Sequence, residues 1–207
     1  VKANWKTCLD AFMEVYHAPT IHKDTVNILL DGNAMAAGLL KNGHSRMVTP
    51  KKMNLDGGFL GAEESDYVPY IETCDKIHAQ TNVAYGMFPN FITPTDTSGY
   101  PAILFWPKGL RETEFEWTQL APKWPGDEKP DYWNEQETSF DSIMDEDFQN
   151  LEPMQRSHDA GVFESMPLNY QERRIYYYHQ VIDDWIGRDN LPENIQVPNV
   201  LDPFIEV

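Results

Sequence analysis

The sequence predicts an α+β domain, and three observations carry that prediction. Thr113 to Leu120 alternates, with Phe115 and Trp117 on one face and Glu114 and Glu116 on the other, the period of a strand with one buried side. Ala102 to Trp106 is a second strand-like run, and Gly109 between them makes the pair an antiparallel hairpin. Helical periodicity marks two later segments. Phe140, Ile143, Met144, Leu151 and Met154 fall on one stripe, as do Ile175, Tyr178, Ile182 and Trp185.

The 207 residues suffice for one sizeable core and suggest a single domain. A hydrophobic fraction of 41% with 13% aromatics is that of a folded protein. There is no run of membrane-spanning length and no basic-then-apolar signal peptide. A net charge of −17 repels phosphate backbones, which argues against nucleic acid as a partner. Cys8 and Cys74 offer neither a disulfide framework nor a CxxC pair, which suits a reducing cytoplasm. The chain opens on Val1, directly before its first motif, and is expected to be part of a longer protein.

Asn4 to His17 has a helical period, with Trp5, Cys8, Leu9, Phe12 and Tyr16 on one stripe and Asp10, Glu14 and His17 opposite. That pattern suits a plain amphipathic helix with a wet face. Periodicity alone favours that reading, but the acids behind the histidine keep a metal ligand in view, because a carboxylate one turn from an imidazole fixes its tautomer. Pro19 predicts that the helix ends near His17 and that His22 returns from the next turn. Two such imidazoles can converge on one ion, and they need a third ligand.

Thr25 to Asp31 reads as either a short strand or a helix start. Turns are expected at Asp31-Gly32-Asn33 and Lys41-Asn42-Gly43, and a strand over Ser45 to Thr49. Leu55 to Ser65 reads as a glycine-rich loop, at the surface or at a pocket mouth, and Tyr67 to Tyr85 is ambiguous. Ala121 to Glu137 reads as a loop rich in proline and charge, and Gly161 to Leu168 as a further strand. Asn169 and Glu172 predict a helix start, Gly187 its end, and Pro192, Pro198 and Pro203 an extended tail that docks on the domain or a neighbour.

Asp147 is the most informative single residue. It lies four after Ile143 and four before Leu151, in the middle of the apolar stripe, with Asp145 and Glu146 expected on the other side. An ionised carboxylate there costs roughly several kcal/mol unless a cation or several donors compensate. The helix carries no basic residue before Arg156, which favours a metal over an ion pair. His17, His22 and Asp147 then form a two-histidine, one-carboxylate set, the donor type of non-haem Fe(II) sites with open positions for dioxygen and substrate. Zinc is the rival, although the HExxH pattern of zinc hydrolases is absent.

The run Asn4-Trp5-Lys6-x3-Asp10-x3-Glu14-x-Tyr16-His17-x4-His22 resembles the iron-binding signature of the Rieske non-haem iron oxygenases, including the large subunits of aromatic-ring-hydroxylating dioxygenases. Glu146-Asp147-x3-Leu151-Glu152-x2-Gln155 resembles the segment that supplies that family's third ligand. Met87-Phe88-Pro89-Asn90, Trp106-Pro107 and Tyr178-His179-Gln180 resemble its pocket, sheet and final-helix regions. The resemblance implies a helix-grip (Bet v 1-like) fold, an antiparallel sheet wrapped around a long C-terminal helix with iron-site helices. It implies that His17, His22 and Asp147 bind mononuclear Fe(II). Glu14, with Asp10 in reserve, would link the iron to the 2Fe-2S Rieske cluster of an adjacent subunit.

The CxH and CxxH ligands of that cluster are absent. Residues 1–207 are therefore read as a single catalytic domain whose Rieske domain lies outside this chain. The resemblance further implies O2 and a small organic, typically aromatic, substrate, as in aromatic hydrocarbon catabolism. Its implied partners are a ferredoxin or reductase supplying NAD(P)H-derived electrons, in a cytoplasmic homotrimer or α3β3 assembly. Met87, Phe88, Phe91 and Ile143 are the expected pocket walls. The alternative is a metal-free helix-grip domain that binds a hydrophobic ligand, with the three site residues as a satisfied polar cluster.

Overall fold

The computed structural model describes residues 1–52, 71–163 and 165–206. The expected loop at Leu55 to Ser65 and part of the Tyr67 to Tyr85 segment lie outside the described residues. Strands β1 (Ala36–Leu40), β2 (Ser45–Pro50), β3 (Thr81–Met87), β4 (Phe91–Thr95), β5 (Tyr100–Gly109), β6 (Glu112–Leu120) and β7 (Ile205–Glu206) form one sheet. Its order is β6-β5-β4-β3-β2-β1-β7. The first six strands are an antiparallel meander, and β7 joins β1 in parallel. Around the sheet lie α1 (Trp5–Asp10), α2 (Ala18–Ile21), α3 (Val26–Leu29), α4 (Lys76–Gln80), the long α5 (Asp131–Asp159) and α6 (Arg173–Ile186). No described helix is long and apolar enough to cross a membrane.

Alternation decides which face of the sheet is buried. Ile103 and Phe105 on β5 and Ile92 on β4 point into a core shared with Cys8 and Leu9 of α1, Leu151 of α5, and Ile175 and Tyr178 of α6. Each such side chain contributes about 1.5–3 kcal/mol when fully buried. The hairpin of β5 and β6 pairs Ile103 with Trp117 and Phe105 with Phe115, in agreement with the alternation in sequence. At the β1–β2 turn both Asn42 and Gly43 have positive φ, 61° and 80°. A Cβ on Gly43 would lie 2.9 Å from Phe88 and Val181, so the turn needs glycine on both counts. Asn169 and Glu172 form a reciprocal capping box ahead of α6, and Gly187 at φ 87° ends it.

Several expectations are corrected, and two left open are decided. The helix from Asn4 stops at Asp10 and does not reach His17. Phe12 leaves the helix to pack between Phe105 and Phe115, ring centroids 5.1 and 6.5 Å away. The Met13 carbonyl turns to the guanidinium of Arg174, 3.0 Å away. Tyr16 is consequently exposed. Ala121 to Glu137 is loop only as far as Pro130. There an extended backbone starts α5, Asp131 sits favourably in the first turn, and Trp133 is buried to anchor it. Thr25 to Asp31 forms the single turn α3, and its last residues bridge to Lys51. Gly161 to Leu168 forms no strand among the described residues, and Val162, Phe163 and Met166 stay exposed without a pairing partner. The tail docks on its own domain. Pro198 accepts from Tyr176, Asp202 from Gln180, and β7 closes the sheet edge at β1.

Candidate metal centre

One turn of helix, α2, carries both histidines. His17 is its N-cap, His22 its C-cap, and Pro19 sits inside the first turn, where its missing N–H costs nothing. The histidines thus flank a single turn instead of sitting on a helix end and the segment beyond it. Their ring centroids are 5.0 Å apart. Asp147 reaches them from the middle of α5, where Ile143, Met144 and Leu151 bury the same face. Its Oδ1 lies 3.1 Å from His22 Nε2 and 3.5 Å from His17 Nε2. Donor atoms of the three residues all lie within 4.8 Å of one another, and His22 and Asp147 are buried.

The other nitrogen of each ring is also engaged. His17 Nδ1 meets the Glu14 carboxylate, and Glu14 also accepts from the backbone N–H groups of Tyr16 and His17. His22 Nδ1 lies 2.6 Å from Glu146, which accepts from Thr25 Oγ1 at 2.8 Å as well. A carboxylate on Nδ1 places the proton there and leaves the Nε2 lone pair for a cation, the arrangement typical of metal-ligating histidine. Both rings present Nε2 toward Asp147. Burial pushes the pKa of His22 down, but hydrogen bonds and charge from Asp147 and Glu146 outweigh it and raise the value. Two imidazole nitrogens and one carboxylate, each already oriented, fit an octahedral iron with open positions.

Glu146 does not point away from the site, contrary to the expectation from the stripe. A helix advances about 100° per residue, so consecutive acids diverge too little to face opposite sides, and His22 sits between them. The signal for its role is the adjacent pair Glu146-Asp147 facing a histidine that has two nitrogens to satisfy.

A cavity of about 170 Å³ opens at the cluster, with Glu14, His17, His22, Asp147 and Ile143 among its walls. Ile143, one of the four expected pocket walls, lines this cavity. Met87, Phe88 and Phe91 are not among the lining residues. Ile92 faces the cavity, so its strand neighbour Phe91 faces the opposite side, and Met87 is exposed. Phe88 packs against Tyr178 and Trp185, centroids 5.7 Å away in each case.

Asp10 also stands apart from the cavity lining. Its carboxylate takes His179 Nε2 of α6 at 2.9 Å. Burial pushes the His179 pKa down, and the charge and hydrogen bond of Asp10 more than reverse this, so the value is raised. A raised folded-state value stabilises fully below the unfolded His value near 6.5 and is lost as pH rises through the folded value. Asp10→Asn leaves burial in control. The His179 pKa, followed by proton NMR, should drop below its ordinary value, and the variant's stability deficit should be larger at pH 6 than at pH 9.

No curated protein matches the chain. In fold it is similar to the quaternary ammonium Rieske monooxygenase CntA, solved with an inhibitor, at a TM-score of 0.67 and 13% identity over 90% of this chain and 47% of that one. The chain thus spans about half the length of that protein's chain. The family model for the ring hydroxylating alpha subunit (catalytic domain) matches residues 1–188. Matched over most of its length, the chain belongs to the family of ring-hydroxylating alpha subunit catalytic domains.

Proposed function

We propose that this chain is the catalytic domain of a Rieske-type oxygenase that uses mononuclear Fe(II) and O2 to hydroxylate a small organic substrate. The observation that carries this reading is the convergence of His17, His22 and Asp147 in the wall of a largely apolar cavity. When bound there, iron supplies the activation of O2 that no side chain can perform.

The chain's own residues do the rest. Glu14 and Glu146 hold the protons on the Nδ1 atoms and so keep both Nε2 atoms basic toward the ion. Phe140, Ile143 and Met144 wall the cavity, exclude water and orient the substrate beside the site. Glu14 lines the cavity and touches His17, which suits it to bridge that histidine to the Rieske cluster of an adjacent subunit, from which electrons would pass to the metal site. Asp10, bonded to His179, supports α1 against α6 in this reading and is set aside as the bridge. The proposal extends to a cluster-bearing domain outside this chain, a ferredoxin or reductase as donor, a trimeric or α3β3 assembly, and a cytoplasmic location.

Metal analysis of protein purified without added metal tests the reading directly. One iron per chain is expected in the wild type and none in His22→Ala. Zinc in place of iron, or equal iron in both proteins, would overturn it. With iron established, oxygen consumption tied to a hydroxylated product, in the presence of a reduced electron donor, tests the activity.

A further inference from the structure

The strand register gives the cavity a polar end that the metal site does not use. Inward-facing rows cross β2, β3 and β4. Met47 stands opposite Ala84, and Ala84 opposite Pro94. One repeat along the same strands, about 7 Å away, Thr49 stands opposite Asn82, and Asp96 follows two residues after Pro94. All six residues line the cavity. In the first row Met47 and Ala84 pack in one apolar cluster with Val15 and Ala18, which flank His17. The second row is polar. It lies one repeat farther from the histidine segment.

Two atoms in that polar row lack partners among the described residues. Asp96 Oδ1 accepts from Lys51 Nζ at 2.9 Å and from the Thr97 N–H at 2.7 Å. Asp96 Oδ2 and Thr49 Oγ1 are shielded from solvent and make no hydrogen bond among the described residues. Thr49 is 1% exposed, and the Lys51 and Asp96 side chains 1% and 9%. A buried acceptor left unmade costs about 1–3 kcal/mol, so such a pair lining a cavity points to a ligand group that completes it. Lys51 already neutralises Asp96, so the missing partner is a neutral donor and not a cation.

We infer that the substrate is an uncharged amphipathic molecule, whose hydroxyl or N–H group binds Thr49 and Asp96 Oδ2 while its apolar body lies against Met47, Ala84 and Ile92. This deepens the proposed oxygenase function by naming the substrate class of the same cavity, and it rests on that function only in taking the cavity as the substrate site. A tertiary or quaternary ammonium lacks the neutral donor and is predicted to bind poorly.

Three probes of similar size separate the possibilities by calorimetric titration of the iron-loaded protein: indole with an N–H donor, benzothiophene without one, and benzyltrimethylammonium with a charge and no N–H. Indole should bind at least 10-fold tighter than either of the others. Thr49→Val, which removes only an unpaired hydroxyl, should keep or raise thermal stability and cut the indole preference several-fold. Asp96→Asn should cut it further, and where Lys51 left unpaired prevents folding, the Thr49 variant still decides. Equal binding of indole and benzothiophene, or tightest binding of the ammonium probe, would overturn the inference. Iron content measured on the same samples distinguishes this from failure of the oxygenase reading, since loss of probe discrimination with iron intact condemns only the substrate class.

Discussion

Asp147→Ala is expected to abolish stoichiometric iron binding while the domain remains folded. In the folded chain Asp147 is the one carboxylate within 3.5 Å of the Nε2 atoms of both histidines among the described residues. Removing it takes away the anionic ligand and leaves two neutral imidazoles, too few to hold iron against water. The fold loses less. His17 keeps Glu14 and His22 keeps Glu146, so neither ring is left without a partner, and the cost is that of one or two buried hydrogen bonds, about 1–3 kcal/mol. Glu146→Gln is the graded companion. It spares all three donors and disturbs only the support of His22 Nδ1, for which a loss of about 10- to 100-fold in metal affinity is typical. Metal analysis after dialysis, together with urea unfolding, reads both effects. Unchanged iron in Asp147→Ala would mean that the third ligand lies elsewhere.

Much of this site is legible in the amino-acid sequence, for different reasons at different residues. Asp147 announces itself because a carboxylate in the middle of an apolar stripe violates the cheapest burial pattern and demands compensation. His17 and His22 are legible from the family resemblance more than from spacing, since the helix expected to carry His17 ends seven residues earlier. That difference has a physical source. The local period from Asn4 to His17 is helical, but Phe12 and Met13 are held by partners in β5, β6 and α6 that no local window contains. Glu146 escapes a stripe reading because such a reading divides a helix into two faces, while an imidazole needs partners on two of its edges. The pocket walls differ by one step of strand parity at Phe91 against Ile92, which alternation fixes only once the neighbouring strand is known.

Nothing in the sequence singles out Arg174, yet its replacement is expected to separate stability from metal binding. Its side chain is fully buried and has no carboxylate partner among the described residues. Nη1 donates to the Met13 carbonyl at 3.0 Å, Nε to Ser45 Oγ at 3.0 Å and Nη2 toward the Ala84 carbonyl at 3.5 Å. Burial pulls its pKa down to about 9, so the group remains charged at neutral pH. Keeping a buried guanidinium charged costs roughly several kcal/mol, which its hydrogen bonds and packing offset. Arg174→Ala removes the packing as well, leaves a cavity and three unsatisfied acceptors, and should lower stability by about 3–5 kcal/mol in urea. Arg174→Met fills most of the volume without the charge, so it should recover most of that loss, as replacements of buried ions by apolar groups often do. Neither variant holds the Met13 carbonyl. The chain from Met13 to His17, which carries Glu14, then loses the contact that turns it out of α1 and toward Asp147, and iron affinity should fall in both variants. A methionine variant that is stable and binds iron as tightly as the wild type would show that the guanidinium does not position the histidine segment.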